Sequence, residues 1–331
     1  MPKKGNYILA RPASARLEKA MRADCSRPQS VFRVLEGDGG AAPRFPMYHA
    51  DTCEDSFMEH LAKIAGGSNW RCVQLAAFTA YFDASGTEHD QPCMVVAGYL
   101  ATAAQWVDFE NEWVPRIRQD GLGCFHAADI ERLIPDKGRR KELYIDLSEI
   151  ISHNVTRQFG CCILSRAIQV VPEAKRKEWN MTAYSTAGYA CASQVRLWFT
   201  SWHARSLPEF VFERGDLKPG ALREAMEVNG FPAPIFKPKK DTLEKNGFIT
   251  KGAVPLQAAD LLAFELFDPM RKIERDGYLR RIRPAYQALD RIDGQPKAFT
   301  LEAMEHLYKV NLIGNDAIWV PDSPEDIPVL H

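Results

Sequence analysis

The segment Leu256-Gln-Ala-Ala-Asp260-Leu-Leu-Ala-Phe-Glu265-Leu-Phe267 constrains this chain more than any other. Drawn as a helix at about 100° per residue with Leu256 at zero, Phe267 falls near 20°, Asp260 near 40° and Phe264 near 80°. Gln257 falls near 100°, and Ala263, Ala259 and Leu266 near 340°, 300° and 280°. An apolar arc of this kind must lie against something, and Asp260 sits inside it. A buried carboxylate is costly unless it is paired, hydrogen-bonded or bound to metal. On the residues alone, a structural ion pair or cap and a functional acid stand level for Asp260. Glu265 falls near 180° and reads as a solvated surface acid.

What this helix lies against is written upstream. Residues 75–83 alternate Phe78, Ala80 and Phe82 with Thr79, Tyr81 and Asp83, the period of a strand. Ala84-Ser85-Gly86 turns the chain, and residues 92–100 form a second strand, so the pair reads as a hairpin. Trp106, Phe109, Trp113 and Ile117 recur at helical spacing over 103–119, with Pro115 as a kink or cap. Helices are expected at 139–152, 182–204, 219–229 and 254–268, and a basic helical stretch at 270–289. Strands are expected at 159–168, 209–213 and, as a short extended piece, 233–237. The small residues Ala183, Ala187, Ala190 and Cys191 suit a helix lying close to a sheet. A hairpin followed by alternating helices and strands predicts a mixed α/β sheet flanked by helices over residues 75–310.

Residues 1–74 differ. Met1 to Arg33 holds eight basic residues against two acidic, followed by Glu36-Gly-Asp-Gly-Gly40 and scattered prolines. This reads as a partly flexible basic arm with one short helix at 54–65. Residues 311–331 read as a loosely packed tail. The whole chain of 331 residues balances 42 Lys+Arg against 43 Asp+Glu, which excludes a uniformly basic nucleic-acid binder. There is no stretch of about 18 apolar residues to span a bilayer, and no apolar segment follows Lys3 and Lys4 at signal-peptide distance. Eight scattered cysteines without a C-x-x-C pair argue against a zinc site or a disulfide framework and suit a reduced cytoplasm.

Four further acids stand at informative places. Asp83 ends the first strand, where an Asp also commonly starts a turn. Glu213 ends the apolar strand Phe210-Val-Phe212, and Asp216 follows it as a helix cap or a site acid. His126 and Asp129 follow the short extended Cys124-Phe125; structurally they would be a hydrogen-bonded histidine and a turn acid. Acids gathered at strand ends and on one helix face can converge on Mg2+ or Mn2+, which take carboxylate oxygens.

The motifs Tyr81-Phe-Asp83-Ala-Ser85-Gly86, Phe125-His126-Ala-Ala-Asp129, Val211-Phe-Glu213-Arg-Gly215-Asp216 and Leu256-Gln257-Ala-Ala-Asp260-Leu-Leu-Ala263 occur in that order. Together they resemble the family named "domain of unknown function 3800", over about residues 76–268. The resemblance implies a ribonuclease-H-like, integrase-type fold. It makes Asp83, Glu213 and Asp260 the metal ligands, with Asp129 and Asp216 as further candidates and Ser85, His126 and Gln257 as supporting residues. Ala84 departs from the family pattern, which commonly has Glu there.

The expectation is therefore a metal-dependent nuclease or phosphodiesterase acting on DNA or RNA through an Mg- or Mn-activated water. Lys237, Lys239, Lys240, Lys245 and Lys251 precede the Asp260 helix, and Arg271, Lys272, Arg275, Arg280, Arg281 and Arg283 follow it; they are the candidate phosphate contacts. A solvated helix face is the competing reading, since Glu274 and Asp276 interleave. The alternative function is an inactive binding module of the same fold, accessory to a defence or mobile-element system. No G-x-S-x-G elbow, P-loop or dinucleotide turn is present.

Overall fold

The computed structural model describes residues 78–87, 90–201, 207–215, 219–276, 283–294 and 296–299, with Leu301, Met304, Glu305 and Tyr308. The basic arm, the helix expected at 54–65, the tail, Asp216, Arg280 and Arg281 lie outside the described residues.

Strand β1 (Phe78–Ser85) and strand β2 (Cys93–Thr102) form the expected hairpin, with Phe78 opposite Thr102 and Asp83 opposite Ala97. Both strands are buried along most of their length, so both faces of the sheet are covered. Helix α1 (Ala103–Gln119) starts without a break from β2, because Thr102 and Gln105 form a reciprocal capping box. Pro115 sits inside this helix and does not divide it. Helix α2 (Lys137–Asn154) is capped by Asp136, whose carboxylate accepts from the Arg139 N–H at 2.7 Å.

Strand β3 (Arg157–Leu164) pairs antiparallel with β2. The apolar run through Ile168 is not all strand: Ser165–Ile168 turns into a short helix. Buried apolar residues suit either state, so the run itself did not mark the change. Helix α3 (Ala183–Ser201), strand β4 (Glu209–Glu213), helix α4 (Pro219–Val228) and strand β5 (Ile235–Lys237) follow. Helix α5 (Pro255–Asp276) joins the helix expected at 254–268 to the start of the basic helical stretch expected at 270–289, running on through Pro269. Helix α6 (Pro284–Leu289) and strand β6 (Lys297–Phe299) complete the described domain.

The sheet order is β5-β4-β1-β2-β3-β6. β4 is parallel to β1, β5 to β4, and β6 to β3, so β2 alone runs against the rest. The order β3-β2-β1-β4-β5 with an antiparallel second strand is the ribonuclease-H-like arrangement, with β6 added at one edge. Phe82 and Phe212 stack at 5.1 Å on the face covered by α3, where Gly188 lets Leu222 and Phe212 approach. A Cβ on Gly188 would stand 2.9 Å from Leu222. Tyr81 and Asp83 point to the other face. There Tyr81 packs edge-on against Trp106 of α1, whose indole N–H donates to Thr79 O at 3.0 Å. Helix α5 lies across β1 and β2 on that face. Gly86 has φ +83°, and a Cβ there would strike Cys93 O and Phe267, so glycine lets the turn after Asp83 tuck beneath α5.

Candidate metal centre

The parallel strands β1, β4 and β5 end at one edge of the sheet, the edge where α/β folds commonly place ligand sites. Asp83 lies near the end of β1 and Glu213 ends β4. Phe82 pairs with Phe212, so one step further Glu213 stands beside Asp83 on the same face. Ser85 is half-buried at the end of β1, again on that face. Asp260 reaches this edge from the second turn of α5.

Asp83 and Asp260 meet on one cation. The Lys239 ammonium, two residues past β5, donates to Asp83 Oδ2 at 2.8 Å and to Asp260 Oδ1 at 3.1 Å. Both carboxylates are almost fully buried, and the lysine side chain is 15% exposed. Lys239, expected among the phosphate contacts, has its charge inside the acid pocket in this structure. Two buried carboxylates without a cation would be far too costly, which is why a lysine is drawn in.

The other donors differ between the two acids. Asp260 Oδ2 accepts from the Ala127 N–H at 2.6 Å and from His126 Nδ1 at 3.2 Å. A carboxylate only accepts, so His126 carries its proton on Nδ1. The 3.5 Å approach of Lys239 Nζ to the same nitrogen is therefore a contact between two donors. Asp83 Oδ1 accepts from the Ala84 N–H at 2.7 Å.

These surroundings move the acids apart. Burial pushes the Asp83 carboxyl up to about 8; the Lys239 charge opposes this, while Asp260 and Glu213 add to it. Burial also works to raise Asp260, but the His126 hydrogen bond, the charges of Lys239 and His126 and the Ala127 N–H outweigh it and leave the group below its ordinary range. Glu213 is raised by burial, with Lys239 opposing. His126 is raised chiefly by its hydrogen bond to Asp260.

Gln257 holds the pocket in place. Its Oε1 accepts from Trp113 Nε1 at 3.0 Å and from the Phe125 N–H at 2.9 Å, and its Nε2 donates to Lys239 O at 3.2 Å. One buried side chain thus ties the Phe125–Ala127 segment and the Lys239 backbone to α5. Two neighbours were missed in the sequence. The Cys124 thiol stands 3.9 Å from Lys239 O. Tyr184 lies close enough that, after burial, Asp83 and Glu213 push its phenol up further.

Other expected residues fall elsewhere. Asp129 turns away to Arg132 at 3.1 Å, because its short 3-10 turn leads into a helix that carries the arginine three residues on. Lys251 pairs with Asp241 at 3.0 Å. Arg271 and Lys272 both pair with Asp268. Arg271 and Arg275 line a separate cleft of about 590 Å3 with Arg166 and Glu274, roughly 16 Å or more along the helix from Asp260. Lys240 and Lys245 are exposed; both follow β5, and Lys245 lies in the turn between the short paired segments Thr242–Leu243 and Ile249–Thr250. Lys237 stands opposite Glu213 in the β4–β5 ladder.

Glu265 requires the plainest correction. It is fully buried, with Arg283 at 3.0 Å and no hydrogen-bond donor on either carboxylate oxygen. Burial pushes it up to about 7, against the pull of Arg283. The wheel placed it opposite the apolar arc correctly, but that side of α5 is itself covered.

The donor chemistry of Asp83, Glu213 and Asp260 is all oxygen and acidic, which suits a hard divalent cation. Among the described residues, however, no three such side chains close on one point as a ready-made metal site. The Lys239 ammonium stands where two of them meet, as an internal stand-in for positive charge. The five described cysteines are free.

No protein-family model matches the chain, and no curated protein matches it. Among solved structures the chain is similar to "Crystal structure of Bst-RNase HIII in complex with Mn2+", at 13% identity and a TM-score of 0.35. The match covers 63% of this chain and 58% of that one, so the chain spans little more than half of that protein's length. The ribonuclease-H-like assignment rests on the strand order and register. No described helix is long and apolar enough to cross a membrane.

Proposed function

We propose that this chain is a cytoplasmic, metal-dependent phosphodiesterase acting on DNA or RNA, of the kind that the resemblance to "domain of unknown function 3800" implies. The observation that carries the reading is the meeting of Asp83 and Asp260, 177 positions apart in sequence, on a single cationic point at the carboxyl edge of the parallel strands. Asp83, Asp260 and Glu213 would hold Mg2+ or Mn2+. When bound, such an ion neutralises phosphate charge and activates a water for attack at phosphorus. The chain's own residues do the rest. The Ala127 N–H and His126 Nδ1–H fix the Asp260 carboxylate and keep it ionised. His126, about half exposed, holds a proton at the mouth of the pocket. Lys240 and Lys245 offer exposed positive charge to a phosphodiester backbone.

Two observations favour a second reading, a non-cleaving module of the same fold: the Lys239 charge already balances the pocket, and Ala84 stands where the resembled pattern has an acid. Labelled single- and double-stranded DNA and RNA with Mg2+ or Mn2+ separate the two. Wild type should cleave at least one of them, and Asp83→Asn and Asp260→Asn should each lose about a hundredfold or more in rate. A wild type that never cleaves, or variants that cleave as well, sink the nuclease reading.

A further inference from the structure

Lys239 is held in an unusual way. Its backbone is pinned: the carbonyl accepts from Gln257, and Ala253 donates to the carbonyl of the preceding Pro238 at 2.9 Å. Gly252 lies so close under Lys240 that a Cβ there would stand 2.4 Å from its carbonyl carbon. The side chain has four rotatable bonds and is 15% exposed, so the ammonium is the movable part of a fixed loop. It touches the carboxylates of Asp83 and Asp260 and feels the charge of a third, Glu213. A divalent cation bound by the same oxygens would stand within contact distance of that ammonium, and like charges at such separations repel strongly.

We propose that the Lys239 ammonium and a divalent cation take turns on the carboxylates of Asp83 and Asp260, so that metal entry expels the ammonium toward the substrate phosphate. Lys239 is then a positioning residue with two stations. In the first it keeps the buried acids paired and in place. In the second it adds a phosphate contact at the pocket mouth only when the metal is present. This rests on the metal-dependent reading above.

The test is made on the full chain, without reference to cleavage. Lysine-selective acylation followed by peptide mass spectrometry compares Lys239 with its exposed neighbour Lys240, in chelator and in saturating Mn2+. Lys239 should be protected in chelator and become several-fold more reactive, relative to Lys240, in Mn2+. Calorimetry should show Lys239→Met binding Mn2+ about tenfold more tightly than wild type, and Asp83→Asn losing the binding. Asp83-dependent Mn2+ binding with unchanged Lys239 reactivity, or with Lys239→Met binding no tighter, overturns the exchange and leaves the metal-dependent function standing. No Asp83-dependent binding in any variant overturns both. Should Lys239→Met fail to fold, the acylation of wild type decides alone.

Discussion

Asp260 and Glu265 are buried acids little more than one turn apart on helix α5, and they are held in opposite ways. Asp260 collects a lysine, a histidine and a backbone N–H, and its carboxyl is pulled below the ordinary range. Glu265 has one arginine at 3.0 Å without hydrogen-bond geometry, and burial pushes it up to about 7. Burial is therefore common to both, and the donor set separates them. A carboxylate furnished with donors can stay ionised and serve chemistry; one with a single loose partner sits close to neutralisation and serves the packing of α6 on α5.

The largest expected effect comes from removing that single partner. Arg283→Ala should cost about 3 kcal/mol at pH 8, since it leaves a buried carboxylate unpaired. It should cost much less at pH 5, where Glu265 is protonated. Chemical denaturation at the two pH values checks this; equal losses would mean that Arg283 acts through its packing on Tyr144 and Phe264 alone.

Gln257→Leu attacks the other side of the comparison. It orphans the Trp113 indole N–H and the Phe125 N–H, at about 1–3 kcal/mol. It also loosens the segment that brings His126 and Ala127 to Asp260. The His126 titration, followed by NMR, should fall toward its ordinary value in this variant. An unchanged titration would show that Asp260 holds His126 without help from Gln257.

The pH dependence of stability reads both regions at once. Asp83, at about 8, and Glu265, at about 7, both have folded values raised above the unfolded ones, so each favours the folded state while protonated. Their contributions are complete below the unfolded values near 4 and are lost as pH rises through the folded ones. His126, also raised, has the same sign. Asp260, lowered, has the opposite sign but acts only near pH 4 and below. In chelator, stability should thus fall from pH 5 to 8, and Glu265→Gln should flatten part of that fall without touching Mn2+ binding. A slope identical to wild type would place Glu265 in a wetter environment than its zero exposure indicates.

Much of the fold was legible. Strand β4 and helix α1 occupy the expected residues, because period-2 and 3.6-residue patterns and the Thr102 cap act locally. The continuity of α5 was not legible, since Pro269 suggests a break that packing overrides. The apolar arc that traps Asp260 was written in the sequence; what covers the opposite side, and so buries Glu265, was not. A helical wheel fixes angles about one axis and carries no information on which neighbours close over each side.

Lys239 shows the same division from the other direction. As one of a run of lysines it read as surface charge, and neither its sequence distance of 156 residues from Asp83 nor that of 21 from Asp260 hints at a contact. The sequence by itself determined the elements, their order and the presence of acids at strand ends, because those follow from local sterics and periodicity. Only the tertiary structure decided which charges meet. Pairing of buried charges is set by the parallel register of β1, β4 and β5 and by the clamp of Gln257, which bring distant side chains to about 3 Å in a largely buried pocket.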